Sequence, residues 1–314
     1  MTSYLIRRLW HCLLVIIGVT VVVFILLHLL PGGPARAILG PRATPAAIAL
    51  FNHQSGYDRP LFVQYGIWLD HLVRGNLGYS YKLNQSVVSL IADRLPKTVL
   101  LVGLANLAAL VIAVPLGLLQ ASQRNKAVDY TVTGGAFIFY SMPLFWLCIL
   151  LVILFSINVP LFPPEAPQGT FGQVLSDPSG LFLPVASLTL ITVALFSRYM
   201  RSSAIDSLTQ DYVRTAQAKG VSQARLLRKH ILRNSLLPTI TLIGLTLPVV
   251  VSGALIVESV FNFPGMGLLF WNAAQVQDFP VLLGGTLVIG IATAIGSLLA
   301  DLLYMVVDPR IRNA

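Results

Sequence analysis

The chain has 314 residues, 56% hydrophobic and only 11% charged, with a mean hydropathy of +0.79 and a formal net charge of +9. Soluble domains carry roughly 25% charged residues, so the composition excludes a water-soluble globular protein and describes an all-α polytopic membrane protein, continuous apolar runs selecting helices over a closed barrel. The basic residues sit mainly beside the apolar runs, as the positive-inside rule requires and as nucleic-acid binding does not.

Arg7 and Arg8 precede a first apolar run, Leu9 to Leu30. It is too long for the core of a signal peptide, and Pro31-Gly-Gly-Pro34 is a poor cleavage site, so residues 1–30 are predicted to hold a retained first span. His11 and His28 fall near its ends, at interfacial depth. Residues 31–97 form a long extracytoplasmic loop with short helices of its own. Thr44-Pro45 is an N-cap followed by an N1 proline and opens a helix to His53. Pro60 leads a second helix whose Leu61, Tyr65, Trp68, Leu69 and Leu72 recur at helical spacing until Gly75; that stripe lies on the interface or packs on the spans. A third short helix, Ser86 to Leu95, returns the chain to Pro96.

Residues 98–314 make the core. Span two covers Thr98 to Leu119, with Pro115 as a bending point. Gln120 to Tyr130 carries Arg124 and Lys126 and lies inside. Span three covers Thr131 to Asn158 and contains Pro143. Val159 to Gly180 has no Lys or Arg and lies outside. Span four, Leu181 to Met200, delivers the chain to a basic cytoplasmic segment, 201–238. Span five, Thr239 to Phe261, contains Pro248; Asn262 to Pro280 is again outside; span six, Val281 to Val307, ends in a basic tail. The sum is six spans with both termini cytoplasmic. Cys12 and Cys148 fall in predicted spans without metal-ligand spacing and imply no disulfide framework.

The segment between spans four and five reads as a compact helix–turn–helix. Asp211 is an N-cap candidate and Gly220 a stop, with Ser222 capping a second helix that runs to Leu237-Pro238. On an α-helical wheel Arg225, Arg228, Lys229 and Arg233 fall on one side while Leu227 and Ile231 share another. No catalytic constellation, phosphate-cradling Gly loop or metal-spaced His/Cys cluster is present. Glu258 and Asp301 are the main ionisable residues inside the spans, and each reads as a structural group, Glu258 anchoring the outer loop that contains Pro264 and Gly265. Spans this poor in charge do not form an ion-driven pump, so energy must come from another subunit. A membrane-embedded enzyme would need a His, Asp or Glu cluster at one face, and a channel or scaffold would not need the helix–turn–helix.

Arg214-Thr-Ala-Gln-Ala-Lys-Gly220, followed by Lys229-His-Ile-Leu-Arg-Asn-Ser-Leu-Leu-Pro238, resembles the coupling-helix motif of bacterial ABC importer permeases of the peptide/nickel family, dipeptide- and oligopeptide-permease B type. Leu29-Leu-Pro-Gly-Gly-Pro34, Asp58-Arg-Pro-Leu61, Gly75-Asn-Leu-Gly-Tyr-Ser80, Arg94-Leu-Pro96 and Glu258-Ser-Val-Phe-Asn-Phe-Pro-Gly-Met-Gly267 extend the resemblance over nearly the whole chain. Two departures from the general importer pattern, Arg214-Thr-Ala216 in place of Glu-Ala-Ala and a Leu-Pro about five residues further from Gly220, are features of the peptide branch.

The resemblance implies a type I importer permease fold and a pore-forming subunit with no enzymatic activity. Its partners would be a homologous second permease, two ABC ATPase subunits that bind ATP and Mg, an extracytoplasmic substrate-binding protein, and the lipids of the bacterial inner membrane. It implies that the ATPase grips Val213, Arg214, Thr215, Ala216, Gln217, Ala218, Lys219 and Gly220, with small Thr215 and Ala216 permitting close approach. Arg225, Arg228, Lys229 and Arg233 would meet acidic ATPase residues or lipid phosphates, and Pro115, Pro143 and Pro248 would be bending points. Di- or oligopeptides are the implied solutes, with nickel and other small solutes as the alternative within the same architecture.

Overall fold

The computed structural model describes residues 2–30, 32–40, 42–236, 238–239, 242, 250 and 253–307. Among these, four helices are long and apolar enough to cross a membrane: Ile6–Leu29, Val87–Ser122, Pro178–Leu208 and Phe279–Leu298. A fifth candidate is the pair Ala127–Ser141 and Leu144–Asn158, bent by 101°. Span five of the sequence reading, Thr239–Phe261, falls largely outside the described residues, as do Pro248 and the tail after Val307; the side chain of Asp301 is outside them as well.

α1 (Thr2–Leu29) is followed by α2 (Gly33–Leu39), which the sequence reading missed, α3 (Pro45–Ser55) and α4 (Leu61–Val73). Thr44 caps α3 by accepting from Ala47 N at 3.2 Å, and Gly56 closes it at φ 73°. The stripe on α4 turns onto α1: Tyr65 Oη lies 2.8 Å from Thr20 Oγ1, Trp68 packs near Phe24, and His28 Nε2 meets Gln64 Oε1 at 2.8 Å. Of the two sites predicted for this stripe, the structure selects the first span.

A two-residue hairpin follows, β1 (Tyr79–Ser80) with antiparallel β2 (Gln85–Ser86), and leads into α5 (Val87–Ser122). The predicted third loop helix and span two are therefore one 36-residue helix, capped by Ser86, with Pro96 and Pro115 inside it. Neither proline ends the helix, consistent with membrane helices finding other partners for the carbonyl that a proline frees.

α5 packs along α9 (Pro178–Leu208) through Ala105, Ala109, Ala113, Gly117 and Ala121, all buried and spaced four apart. This small-residue ladder lets the backbones close, since lipid offers no hydrophobic drive and association rests on packing. A Cβ at Gly117 would sit 2.6 Å from the Met200 side chain and 2.9 Å from Ser197 O. Thr189 Oγ1 donates to Ala105 O at 3.3 Å across the same seam.

Between them run α6 (Ala127–Ser141) and α7 (Leu144–Val152), the latter continuing through a π turn to Asn158. Predicted span three is thus broken rather than single. The break falls at Met142-Pro143, because the residue before a proline is disfavoured in the helical region and Met142 is extended at ψ 129°. In the 159–180 connection, Thr170 and Gln173 form a capping box that starts α8 (Phe171–Ser176).

α9 outruns predicted span four by two turns at its C-terminal end. α12 (Leu255–Val260), α13 (Met266–Gln275) and α14 (Phe279–Val307) complete the described chain. The 262–280 connection, predicted as a loop, contains α13, whose Met266, Leu269 and Ala273 are buried. Asp278 starts α14, accepting from Val281 N at 3.4 Å, and also takes a hydrogen bond from the Ser80 hydroxyl, which ties the hairpin to the last helix.

Candidate functional site

The basic connection begins where α9 ends. α10 (Asp211–Ala218) starts from an extended Gln210, so Asp211 is its first residue rather than its cap. Its carboxylate occupies the first turn, where the helix dipole favours negative charge, and lies 3.8 Å from Arg214 Nη1. The C-terminus is a complete Schellman motif: Gly220 N donates to Gln217 O at 2.9 Å and Val221 N to Ala216 O at 3.2 Å. Gly220 adopts φ +73° with nothing within 4 Å of where a Cβ would stand. Glycine serves the backbone conformation there, not a close approach.

α10 has two unlike faces. Val213 and Ala216 point inward, 1% and 8% exposed, onto Ala121 of α5, Ala204 of α9, and Leu226 and Ile231 of the following helix. Tyr212, Arg214, Thr215, Gln217, Ala218, Lys219 and Gly220 are exposed. The face carrying Val213 and Ala216 is therefore a seat on the protein's own helices, and close approach through Ala216 is not open to a partner.

The second helix differs from the α-helical wheel of the sequence reading. α11 (Gln223–Arg225) passes directly into a π turn, Leu226–Ile231. In an α-helix, residues five apart lie about 140° apart around the axis. The wider i→i+5 turn brings Leu226 and Ile231 together on the buried side, leaving Leu227 at the edge. Arg225, Arg228, Lys229 and Arg233 are all exposed. Ser235 Oγ donates to Ser207 Oγ at 3.1 Å, fastening this helix to the end of α9. Pro238 and Thr239 are themselves helical, so the predicted stop at Pro238 is not observed.

One turn before the seat's contact on α9 lies an ion pair that the sequence reading missed. Arg201 of α9 grips Asp129 of α6 through Nε–Oδ1 and Nη2–Oδ2, each 2.6 Å, a bidentate clamp with Asp129 only 2% exposed. Asp129 also accepts from Asn125 N at 3.0 Å. Its one sequence signal was being the lone carboxylate of the 120–130 link. Lys97 was missed in the same way; it is 1% exposed, with Nζ 2.8 Å from Asp93 Oδ1.

At the other end of the core, Glu258 is fully buried. Its carboxylate accepts from Thr98 Oγ1 at 3.0 Å, Ala254 N at 3.2 Å and Leu268 N at 2.9 Å. Thr98 in turn accepts from Met266 N at 2.8 Å. Pro264 and Gly265 are buried beside it, and a Cβ at Gly265 would fall 2.4 Å from the Glu258 carboxyl carbon. Of the bending points, Pro143 stands at the 101° break and Pro115 is exposed within unbroken α5.

Residues 1–102 match the N-terminal family of binding-protein-dependent transport system membrane components, and residues 113–313 match the family described as binding-protein-dependent transport system inner membrane component. The chain belongs to this family. It is 42% identical over 318 residues to a provisionally named peptide permease protein of Brucella suis biovar 1, with 99% of each chain covered. It is 37% identical over 314 residues to the oligopeptide transport system permease protein AppB of Bacillus subtilis, again with 99% of each covered. To the dipeptide transport system permease protein DppB of Alkalihalophilus pseudofirmus it is 34% identical over 332 residues, covering 99% of this chain and 100% of that one. As a multi-pass inner membrane component of such a system, it carries in α10 and α11 the segment whose motif first suggested the family.

Proposed function

We propose that the chain is the pore-forming permease subunit of an ATP-driven importer that takes up di- or oligopeptides delivered by an extracytoplasmic binding protein. The observation that carries this reading is the two-faced α10 helix, within a chain whose relatives, named for peptide transport, match it along nearly its full length. In this reading the chain has six spans and cytoplasmic termini, pairs with a homologous permease, and binds two ATPase subunits that hold ATP and Mg.

The exposed face of α10, from Tyr212 to Gly220, is where an ATPase groove would grip. Val213 and Ala216 do not meet the ATPase; they fix α10 to α5, α9 and the π turn, so movement of the gripped face is passed to the spans. Arg225, Arg228, Lys229 and Arg233 are exposed on the helix that follows α10, available to acidic ATPase residues or lipid phosphates. Outside, the Glu258 network holds the Phe261–Gly267 turn against α5, making one rim for the binding protein.

The test is to reconstitute the chain with its co-encoded partners and binding protein and to measure ATP-dependent uptake of labelled di- and tripeptides. Saturable peptide uptake is the expected result; uptake of nickel or another solute with peptides ignored would move the substrate elsewhere. Orientation is checked with impermeant thiol reagents on intact cells, which should label Glu165→Cys and spare Gln217→Cys.

A further inference from the structure

Beside the Asp129–Arg201 clamp, α5, α6 and α9 line an open-sided cavity of about 250 Å³ whose polar lining comes from Gln120, Thr133, Tyr140, Ser197, Arg198 and Arg201. Ala136, Phe137 and Ala194 supply apolar wall. Gln120 is only 2% exposed; its Nε2 donates to Thr133 Oγ1 at 3.0 Å, while its Oε1 has no hydrogen-bond partner. A buried acceptor without a donor is destabilising, and the protein would lose that defect by substituting leucine. The two arginines are not equivalent. Arg201 is neutralised by Asp129, whereas Arg198 is exposed and rests over the Tyr140 ring, 5.0 Å from its centroid. Arg198 stands in the last turn of predicted span four, Leu181 to Met200, where a long guanidinium side chain reaches polar surroundings.

The cavity therefore offers one cationic fork, one buried acceptor and apolar wall. A metal cation is repelled by the fork, and a simple anion brings no hydrogen for Gln120. The C-terminal residue of a peptide carries a backbone N–H and a carboxylate two bonds apart, with a side chain for the apolar wall. We propose that this cavity is a transit site for the C-terminal end of a peptide, Arg198 taking the carboxylate and Gln120 Oε1 the last backbone N–H. The proposal rests on the peptide-import reading above.

The test uses the complex with its partner permease and ATPases, without the binding protein, in nanodiscs of zwitterionic lipid. Ala136→Cys is placed in a Cys12→Ser background, and its labelling by a maleimide is timed. Dialanine should slow labelling about tenfold, while C-terminally amidated dialanine should not. Arg198→Gln and Gln120→Leu should each abolish the protection; Gln120→Leu removes an unsatisfied group and keeps the experiment decisive if Arg198→Gln fails to assemble. Equal protection by the amide, protection surviving both substitutions, or protection by phosphatidylglycerol in place of dialanine would overturn the assignment, the last by making the cavity a lipid site. ATP-driven uptake of dialanine by the complete system separates the two readings. Uptake without protection defeats only the transit site, and no uptake of any peptide defeats the import reading.

Discussion

Val213→Ala isolates the seat of α10 from its exposed face. Val213 is 1% exposed and packed among Ala121, Ala204, Ala216, Leu226 and Ile231, so the substitution removes two buried methyl groups and leaves every residue of the exposed face in place. At about 0.8 kcal/mol per buried carbon, with a further cavity contribution, the loss is about 2 kcal/mol. Since 1.4 kcal/mol is a factor of ten, α10 should leave its seat roughly 30-fold more often. The Schellman amides report this directly, because Gly220 N and Val221 N are bonded only while the end of α10 is formed. Hydrogen exchange on the purified complex should therefore speed up roughly 30-fold across residues 213–221, with little change in α5. The ATPase subunits should remain bound, and the number of ATP molecules hydrolysed per solute imported should rise. Exchange within twofold of wild type together with unaltered coupling would refute the claim that movement passes through this seat.

Asp129→Asn strands Arg201 in a partly buried site and should destabilise the complex by about 3 kcal/mol; Asp129→Asn with Arg201→Met should recover most of it, as read by thermal unfolding in detergent. Without that recovery the clamp is not the source of the loss. Glu258→Gln replaces an acceptor of three hydrogen bonds with a group that must present an amide hydrogen to one of those donors. It should cost about 2 kcal/mol and loosen the Phe261–Gly267 turn to proteolysis from outside, while exchange at α10 stays unaltered. At Gly220, φ +73° with open surroundings means that alanine costs about 1 kcal/mol for backbone conformation alone and asparagine less. Exchange at Gly220 and Val221 should order Gly, Asn, Ala from slowest to fastest, and an alanine variant as protected as glycine would contradict the motif.

The parts legible in sequence were those whose cause is local. Thr44-Pro45, the Tyr65–Trp68 stripe and the Gly220 stop are set by caps and periodicity, and each lies where the residues indicate. The length of α5 was not legible, because Pro96 reads as a terminator in water and is tolerated within a long helix here. The helix at Met266–Gln275 was hidden by the Asn-Phe-Pro-Gly sequence before it. At the site, the charges of 225–233 drew attention, and the α-helical wheel grouped Leu227 with Ile231. A π turn is invisible to a 100° wheel, so the pairing of Leu226 with Ile231 could not emerge from it. The clamp between Asp129 and Arg201 joins residues 72 positions apart and has no local signature.

α5 extends through 36 residues, roughly 54 Å at 1.5 Å per residue. Its first residue, Val87, bonds back to Gly78 O just before the hairpin and fills the space left by Gly284, and in its last turn Ala121 touches the α10 seat. Thr98, between these ends, is held by the Glu258 network. One continuous helix therefore joins the α10 seat to the hairpin, with Pro96 and Pro115 as its interior prolines. In the import reading proposed above, a load on the hairpin would bear on the α10 seat through this one helix, and the two surfaces of the membrane would share a mechanical reference.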